Sequence, residues 1–300
     1  MLTEAPRNSV YSQIDMTIRE RSMETDRGHM AWLEAGAGWP VILLHAFPLS
    51  ADMWRPQLER VPQGWRFIAP DLRGFGGSQS LPPEGGSHTI DQGHSPSRGR
   101  ETTIDDYAAD VLCLMDCLAM DAAVIGGVSM GGYVTFAMFR QAASRFTGMV
   151  LADTRSQADT PQAREGRVRL REVLAKEGPR GVAGQMLPKL FGETSRRAGA
   201  DAVQQARAMI ESASPEAIDA AIGALMGRPD STPGLPGISC ATLVVVGDQD
   251  EIAPAAEAEA MQRAIPRSTL SVIAGAGHLS SLEQPEAFSH VLGDFLVSHL

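Results

Sequence analysis

The sequence predicts an α/β fold: a mostly parallel central sheet flanked by helices, with a helical cap inserted after the sixth strand. Three observations predict it. Short, continuously apolar runs recur at Val41–Leu44, Phe67–Ala69, Met149–Ala152 and Leu243–Val246. Strands read this way when helices cover both faces of a parallel sheet. Stretches of helical apolar spacing lie between them, supplying the crossovers that parallel strands need. Finally, no strand pattern appears between Thr154 and about Cys240, where helix starts recur instead at Thr160-Pro161, Gly178-Pro179 and Ser214-Pro215.

The composition admits this fold and excludes other classes. With 43% hydrophobic residues in 300, the chain can bury a substantial core. A net charge of −10 gives the wrong sign for a nucleic-acid partner. No apolar run approaches the roughly 18 residues of a membrane span, and the first 20 residues lack the hydrophobic region of a signal peptide. No membrane association and cytoplasmic residence are therefore expected. Three cysteines, an odd number, argue against a disulfide framework. Cys113 and Cys117, four apart on a helical pattern, are expected to pack in the core rather than bind zinc.

Residues 1–14 are polar and aperiodic and read as a loose leader. The core is expected over 15–153 and 239–300, with the cap over 154–238. Ile14–Arg21 and Met30–Glu34 read as edge strands joined by the turn Thr25-Asp26-Arg27-Gly28. The strand Val41–Leu44 ends at His45-Ala46-Phe47-Pro48, where His45 is read as a brace for the loop rather than as a reacting group. Phe67–Ala69 leads into Asp71-Leu72-Arg73-Gly74, whose Asp71 and Arg73 are expected to bond the loop backbone and each other. Residues 79–103, rich in Pro, Gly and Ser, read as a mobile loop insertion. A metal reading of His88, Asp91 and His94 is set aside for want of a fixed geometry.

Thr103-x-x-Asp106 then caps a helix carrying Ile104, Tyr107, Val111, Leu114 and Leu118 at helical spacing. It delivers the chain to Val124–Val134, in which an apolar run ends in Gly127-x-Ser129-x-Gly131 and resumes as a helix. Strand, sharp turn and helix in this order suit a nucleophile elbow. There the serine takes a strained backbone, small residues flank it because strand and helix approach closely, and the Met130 N–H points into the same space. The next strand, Met149–Ala152, closes on Asp153.

In the cap, Ile218, Ile222 and Leu225 form an apolar stripe, and Arg164, Arg167, Arg169 and Arg171 read as a solvated face. Beyond it, Leu243–Val246 is followed by Gly247-Asp248-Gln249-Asp250, with Pro254 opening a helix and Asp248 and Glu251 capping or solvating the turn. Leu270–Ile273 is followed by Gly275-Ala276-Gly277-His278, whose glycines let the loop reach back over the sheet.

Together these motifs resemble the α/β-hydrolase family over most of residues 28–300. His45-Ala46-Phe47-Pro48 is similar to its His-Gly-x-Pro loop, with Ala46 where glycine is usual, and Asp71–Ser78 to its Asp-x-Arg-Gly-x-Gly-x-Ser loop. The elbow and the ending Ala276–Pro285 look most like the small carboxylesterases and 3-oxoadipate enol-lactonase-like hydrolases. The resemblance implies Ser129 as nucleophile, His278 as base and Asp250 as the acid that orients it, with Asp153 as the alternative acid. It implies an oxyanion hole from the Met130 and Phe47 N–H groups. The expected function is hydrolysis of a small-molecule carboxylic ester or lactone through an acyl-enzyme, with no metal or organic cofactor. Carbon–carbon bond hydrolysis of ring-fission products, perhydrolysis and a slow-turnover receptor on the same fold remain alternatives. The oligomeric state is not legible.

Overall fold

The computed structural model describes residues 17–78, 101–199 and 201–299. The leader 1–14, most of the 79–103 insertion and its residues His88, Asp91 and His94 lie outside the described residues.

The described residues form an eight-stranded sheet in the order β1-β2-β4-β3-β5-β6-β7-β8. β1 (Arg19–Thr25) and β2 (Gly28–Gly36) are an antiparallel hairpin. The turn between them is the expected one, and both strands run up to it, so β2 begins two residues before Met30. β2 pairs antiparallel with β4 (Trp65–Pro70). β3 (Trp39–Leu44), β5 (Ala123–Val128), β6 (Phe146–Ala152), β7 (Ala241–Gly247) and β8 (Ser268–Ile273) continue the sheet in parallel. β5 and β7 are buried along their whole length, which is why they carry no polar alternation.

Between the strands run α1 (Arg55–Leu58), α2 (Ile104–Cys117) and α3 (Met130–Ala142). α2 opens on a capping box: Asp106 N–H donates to Thr103 Oγ1 at 3.2 Å and Thr103 N–H to Asp106 Oδ2 at 2.9 Å. α4 (Pro161–Leu190), α5 (Glu193–Ala198), α6 (Asp201–Ser212) and α7 (Pro215–Gly227) form the helical insertion between β6 and β7. Thr160 and Ser214 cap α4 and α7, and Gly178 breaks α4 at φ 65° just before Pro179, so all three expected starts are present. α8 (Ala255–Ala264), α9 (Ser280–Glu283) and α10 (Pro285–His299) complete the chain. Among the described residues no helix is long and apolar enough to cross a membrane.

Three expectations are corrected. Cys117 is exposed and Cys113 half-buried, because Cys117 shares the solvent side of the last turn of α2 with Asp116 while Leu114 and Met115 take the core side; neither thiol is in a disulfide. Of the expected solvated face, Arg164 and Arg169 are exposed and Arg171 pairs with the exposed Asp219 at the surface, but Arg167 turns onto the buried Asp159. Arg73 does not pair with Asp71 but makes a two-pronged ion pair with Asp110 of α2.

Asp71 spans its loop without Arg73, accepting from Ala51 N–H at 2.7 Å and Gly77 N–H at 2.8 Å. His45 braces the neighbouring loop as expected. Its Nδ1–H donates to Ala46 O at 3.0 Å, and Nε2 accepts from Leu72 N–H at 2.9 Å, so the ring holds the loops after β3 and β4 together. These two bonds require a neutral ring.

The sheet tolerates little addition at its centre. A Cβ on Gly126 would lie 2.3 Å from the Val150 carbonyl oxygen on β6. Gly126→Ala should therefore destabilise by about 1–3 kcal/mol, read as a lower midpoint in thermal unfolding. A second prediction concerns acid. Burial pushes the His45 imidazole down to about 4 from 6.5. Between those values the unfolded chain binds more protons, so stability is lost as the pH falls through this window. Burial pushes Asp71 up to about 6, with the opposite sign between its ordinary value and 6. Comparison with His45→Gln separates the two: wild type's stability advantage should shrink by up to roughly 3 kcal/mol as pH drops from about 6.5 to 4. Urea unfolding at a series of pH values measures it, and an advantage independent of pH would contradict the neutral ring.

Candidate active site

β5 ends at Val128 and α3 begins at Met130, so Ser129 alone turns the chain from strand to helix. Its φ of 54° and ψ of −111° cost about 1–3 kcal/mol for a residue with a side chain. The surroundings enforce that conformation. Ser129 N–H donates to Ala152 O at 3.0 Å, and Ser129 O accepts from Gly132 N–H at 3.0 Å and Thr154 Oγ1 at 2.9 Å. On either side, a Cβ at Gly127 would lie 2.5 Å from the Leu44 carbonyl oxygen and one at Gly131 only 2.2 Å from it. The small flanks are thus a steric requirement. The hydroxyl at the crest of the turn is left partly accessible.

His278 reaches this hydroxyl from the loop after β8, with Nε2 2.8 Å from Ser129 Oγ. On its other side Nδ1 lies 2.8 Å from Asp250 Oδ2. The second oxygen of Asp250 accepts from Ile252 N–H at 2.8 Å and Ala253 N–H at 2.9 Å, which aims the carboxylate. A carboxylate can only accept, so it keeps the ring proton on Nδ1 and leaves the Nε2 lone pair facing the serine. His278 and Asp250 are buried, at 2% and 6% exposure, which removes competing water from this bond. Three residues 28 and 149 positions apart thus form one hydrogen-bonded chain.

Asp153, the alternative acid, is placed elsewhere. Its Oδ1 accepts from Gly247 N–H at 3.0 Å, and its Oδ2 from Ser280 N–H at 3.0 Å and Ser280 Oγ at 2.6 Å. It is wholly buried at φ 45°, and burial, with the neighbouring Asp250 charge, pushes its pKa well above the usual carboxylate range. Asp250, not Asp153, meets the imidazole.

The register Leu44↔Gly127 sets the loop after β3 beside the elbow. The Met130 N–H, at the first position of α3, and the Phe47 N–H have no acceptor among the described residues. Position 46 needs no left-handed backbone: among the described residues only Ala119, Ser129 and Asp153 have positive φ without being glycine. Ala46 therefore sits there unstrained. Unpaired amides, here one at the start of α3 and one in the loop after β3, suit an oxygen that gains negative charge.

Several contacts at the site carry no local sequence signal. Asp248 does not cap its own turn but accepts from Gly275 N–H at 2.8 Å, joining the acid turn to the histidine loop. Glu283 accepts from Gly277 N–H and Gly192 N–H, both at 2.8 Å. Gln249 exchanges two bonds with Thr194 at 3.1 and 2.8 Å, and His278 N–H donates to Leu190 O at 3.1 Å. The end of α4 and the start of α5 are therefore fastened to both loops. The other end of the insertion is anchored by the buried pair Arg228–Asp159 at 2.6 Å, with Arg228 stacked 4.1 Å over the Tyr133 ring of α3. In sequence these residues are indistinguishable from solvated charges.

Known proteins share this architecture. A family model described as alpha/beta hydrolase fold matches residues 40–285. The 3-oxoadipate enol-lactonase 2 of Acinetobacter baylyi is 27% identical over 252 residues, which are 84% of this chain and 86% of that protein. A thermophilic esterase from Thermogutta terrifontis, solved with malate bound, superposes with a TM-score of 0.83 at 39% identity, over 94% of this chain and 100% of that one. The enol-lactonase of Burkholderia xenovorans LB400 shares the fold, with a TM-score of 0.79 at 24% identity over 93% and 100% of the two chains. The protein is a hydrolase and belongs to the α/β-hydrolase fold family.

Proposed function

We propose that the protein cleaves carboxylic esters or lactones by two-step acyl transfer through Ser129. The observation that carries this reading is the unbroken chain Asp250–His278–Ser129, with both bonds at 2.8 Å and the serine held in a strained turn. As Ser129 Oγ attacks the carbonyl carbon, its proton passes to His278 Nε2, and the imidazolium is stabilised by Asp250. The carbonyl oxygen, now negative, is taken by the Met130 and Phe47 N–H groups; each such donor is worth on the order of a hundredfold in rate. The imidazolium gives its proton to the departing alkoxide, and the acyl group stays on Ser129. His278 then takes a proton from water as the water attacks, and returns it to Ser129 as the acid leaves. For a lactone the alkoxide remains tethered to the acyl chain, and one hydroxy acid is released.

The relatives support this substrate class, since they include an esterase at 39% identity and a 3-oxoadipate enol-lactonase at 27%. The insertion, read as a cap over 154–238, forms the wall of the substrate site. It is tied to the histidine and acid loops through Leu190, Gly192 and Thr194.

Ser129→Ala should lower hydrolysis of p-nitrophenyl acetate by about a thousandfold or more while leaving the circular dichroism spectrum unchanged. Near-wild-type turnover would discard the reading. Asp250→Asn should also lose on the order of a thousandfold in kcat, because an amide in place of the carboxylate favours the wrong ring tautomer. Steady-state kinetics of Asp153→Asn beside it decide the acid: a loss in Asp153→Asn alone would mean that Asp250 is not the orienting group.

A further inference from the structure

Four successive backbone N–H groups surround the candidate base, and three of them end on carboxylates. Gly277 and Leu279 N–H donate to a single oxygen, Glu283 Oε1, at 2.8 and 3.4 Å. Ser280 N–H donates to Asp153 Oδ2 at 3.0 Å, reinforced by Ser280 Oγ at 2.6 Å. The His278 N–H goes to Leu190 O at 3.1 Å. The remaining oxygens of the two acids reach outward, Glu283 Oε2 to Gly192 N–H at 2.8 Å and Asp153 Oδ1 to Gly247 N–H at 3.0 Å. One acid thus joins the histidine loop to the insertion, and the other joins it to the end of β7, three residues before Asp250.

Taking carboxylates out of water is costly unless their oxygens find donors. Burial pushes the Glu283 pKa upward, as it does that of Asp153. What this loop has to do is hold one imidazole, and its own sequence is poorly suited to it. Gly275 at φ 72°, Ala276 and Gly277 offer no side chain large enough to anchor it, and the strand ladder ends at Ile273. Fixing the amides on both sides of His278 sets the direction of its Cα–Cβ bond, and with it the place of Nε2.

We propose that Glu283 and Asp153 are positioning residues for His278: by holding the backbone from Gly277 to Ser280 they keep Nε2 within reach of the Ser129 hydroxyl. The inference rests on the acyl-transfer reading above. Glu283→Gln and Asp153→Asn each place an amide NH2 where a backbone N–H points, so one bond of each carboxylate becomes a repulsion.

The test uses the full chain. Functional sites are counted with diethyl p-nitrophenyl phosphate, and kcat per counted site and KM are measured for p-nitrophenyl acetate, well below the unfolding temperature of each variant. The low-field proton resonance of the His278 Nδ1–H bond to Asp250 is recorded beside them. Positioning predicts a fall in kcat per site on the order of tenfold to a hundredfold, as misplacement by a fraction of an ångström costs, with KM within about twofold. The low-field resonance should shift or broaden. Wild-type kcat per site with an unmoved resonance, even if the variants melt earlier, would show two staples and overturn the proposal. Ser280→Ala removes one bond to Asp153 and keeps its carboxyl group in place. It should lose severalfold in kcat per site and carries the test if Glu283→Gln and Asp153→Asn do not fold; unchanged kcat there would then count against the proposal. Ser129→Ala separates the two levels. If it stays active, the acyl-transfer reading fails. If it is inactive while Glu283→Gln and Asp153→Asn turn over like wild type, only the positioning role fails.

Discussion

The carbonyl oxygen of Leu44 occupies the space that side chains at 127 and 131 would need, and most of the site depends on that crowding. It brings β3, β5 and the first turn of α3 together so closely that the backbone at 129 has one way through, at positive φ. The same approach sets the loop that begins at His45 beside the elbow, where the Phe47 and Met130 amides have no acceptor among the described residues. Packing of the sheet and its helices supplies the energy that holds this strain. β5 and β7 are buried throughout and β6 at all but one position, and Ser129 is tied on both sides by Ala152 and Thr154.

A second regularity is how the acids at the carboxyl end of the sheet are satisfied. Asp153, Asp250 and Glu283 are each met by backbone N–H groups of the loops around them, with no arginine or lysine among those partners. Backbone amides orient a carboxyl group by hydrogen bonding without placing a full positive charge beside it. On the proposed acyl-transfer reading, that leaves Asp250 as the group facing the His278 ring. Away from the site the acids behave differently: Glu34 is held by Arg66 and flanked by Arg19 and Arg21, Asp110 by Arg27 and Arg73, and Asp159 by Arg228 and Arg167. These pairs bind elements together and leave little field behind.

The insertion is fastened unevenly. At Leu190, Gly192 and Thr194 it shares hydrogen bonds with the loops bearing His278 and Asp250, while Arg228 and Asp159 pin its other end to α3 through Tyr133. Between these anchors α6 lies against the turn at 51–54. Any displacement of the anchored end would pull on the histidine loop directly, since one carboxylate oxygen pair spans Gly192 and Gly277.

Local pattern alone determined the central parallel strands, the starts of α2, α4 and α7, and the strand–turn–helix at Ser129, because burial on both faces, capping and close approach each demand particular residue types at fixed spacing, whereas the first strand, expected over Ile14–Arg21, runs over Arg19–Thr25. The order of Ser129, Asp250 and His278 along the chain was equally readable, each lying just beyond an apolar run. Partnerships were not readable. Arg73 chooses Asp110 over Asp71, Asp248 reaches Gly275, Glu283 clasps Gly277 and Gly192, and Cys117 faces solvent rather than the core. A charged or polar side chain carries no periodic signature of its destination. Its energy depends on which donors the folded chain brings within about 3 Å, and only tertiary structure decides that.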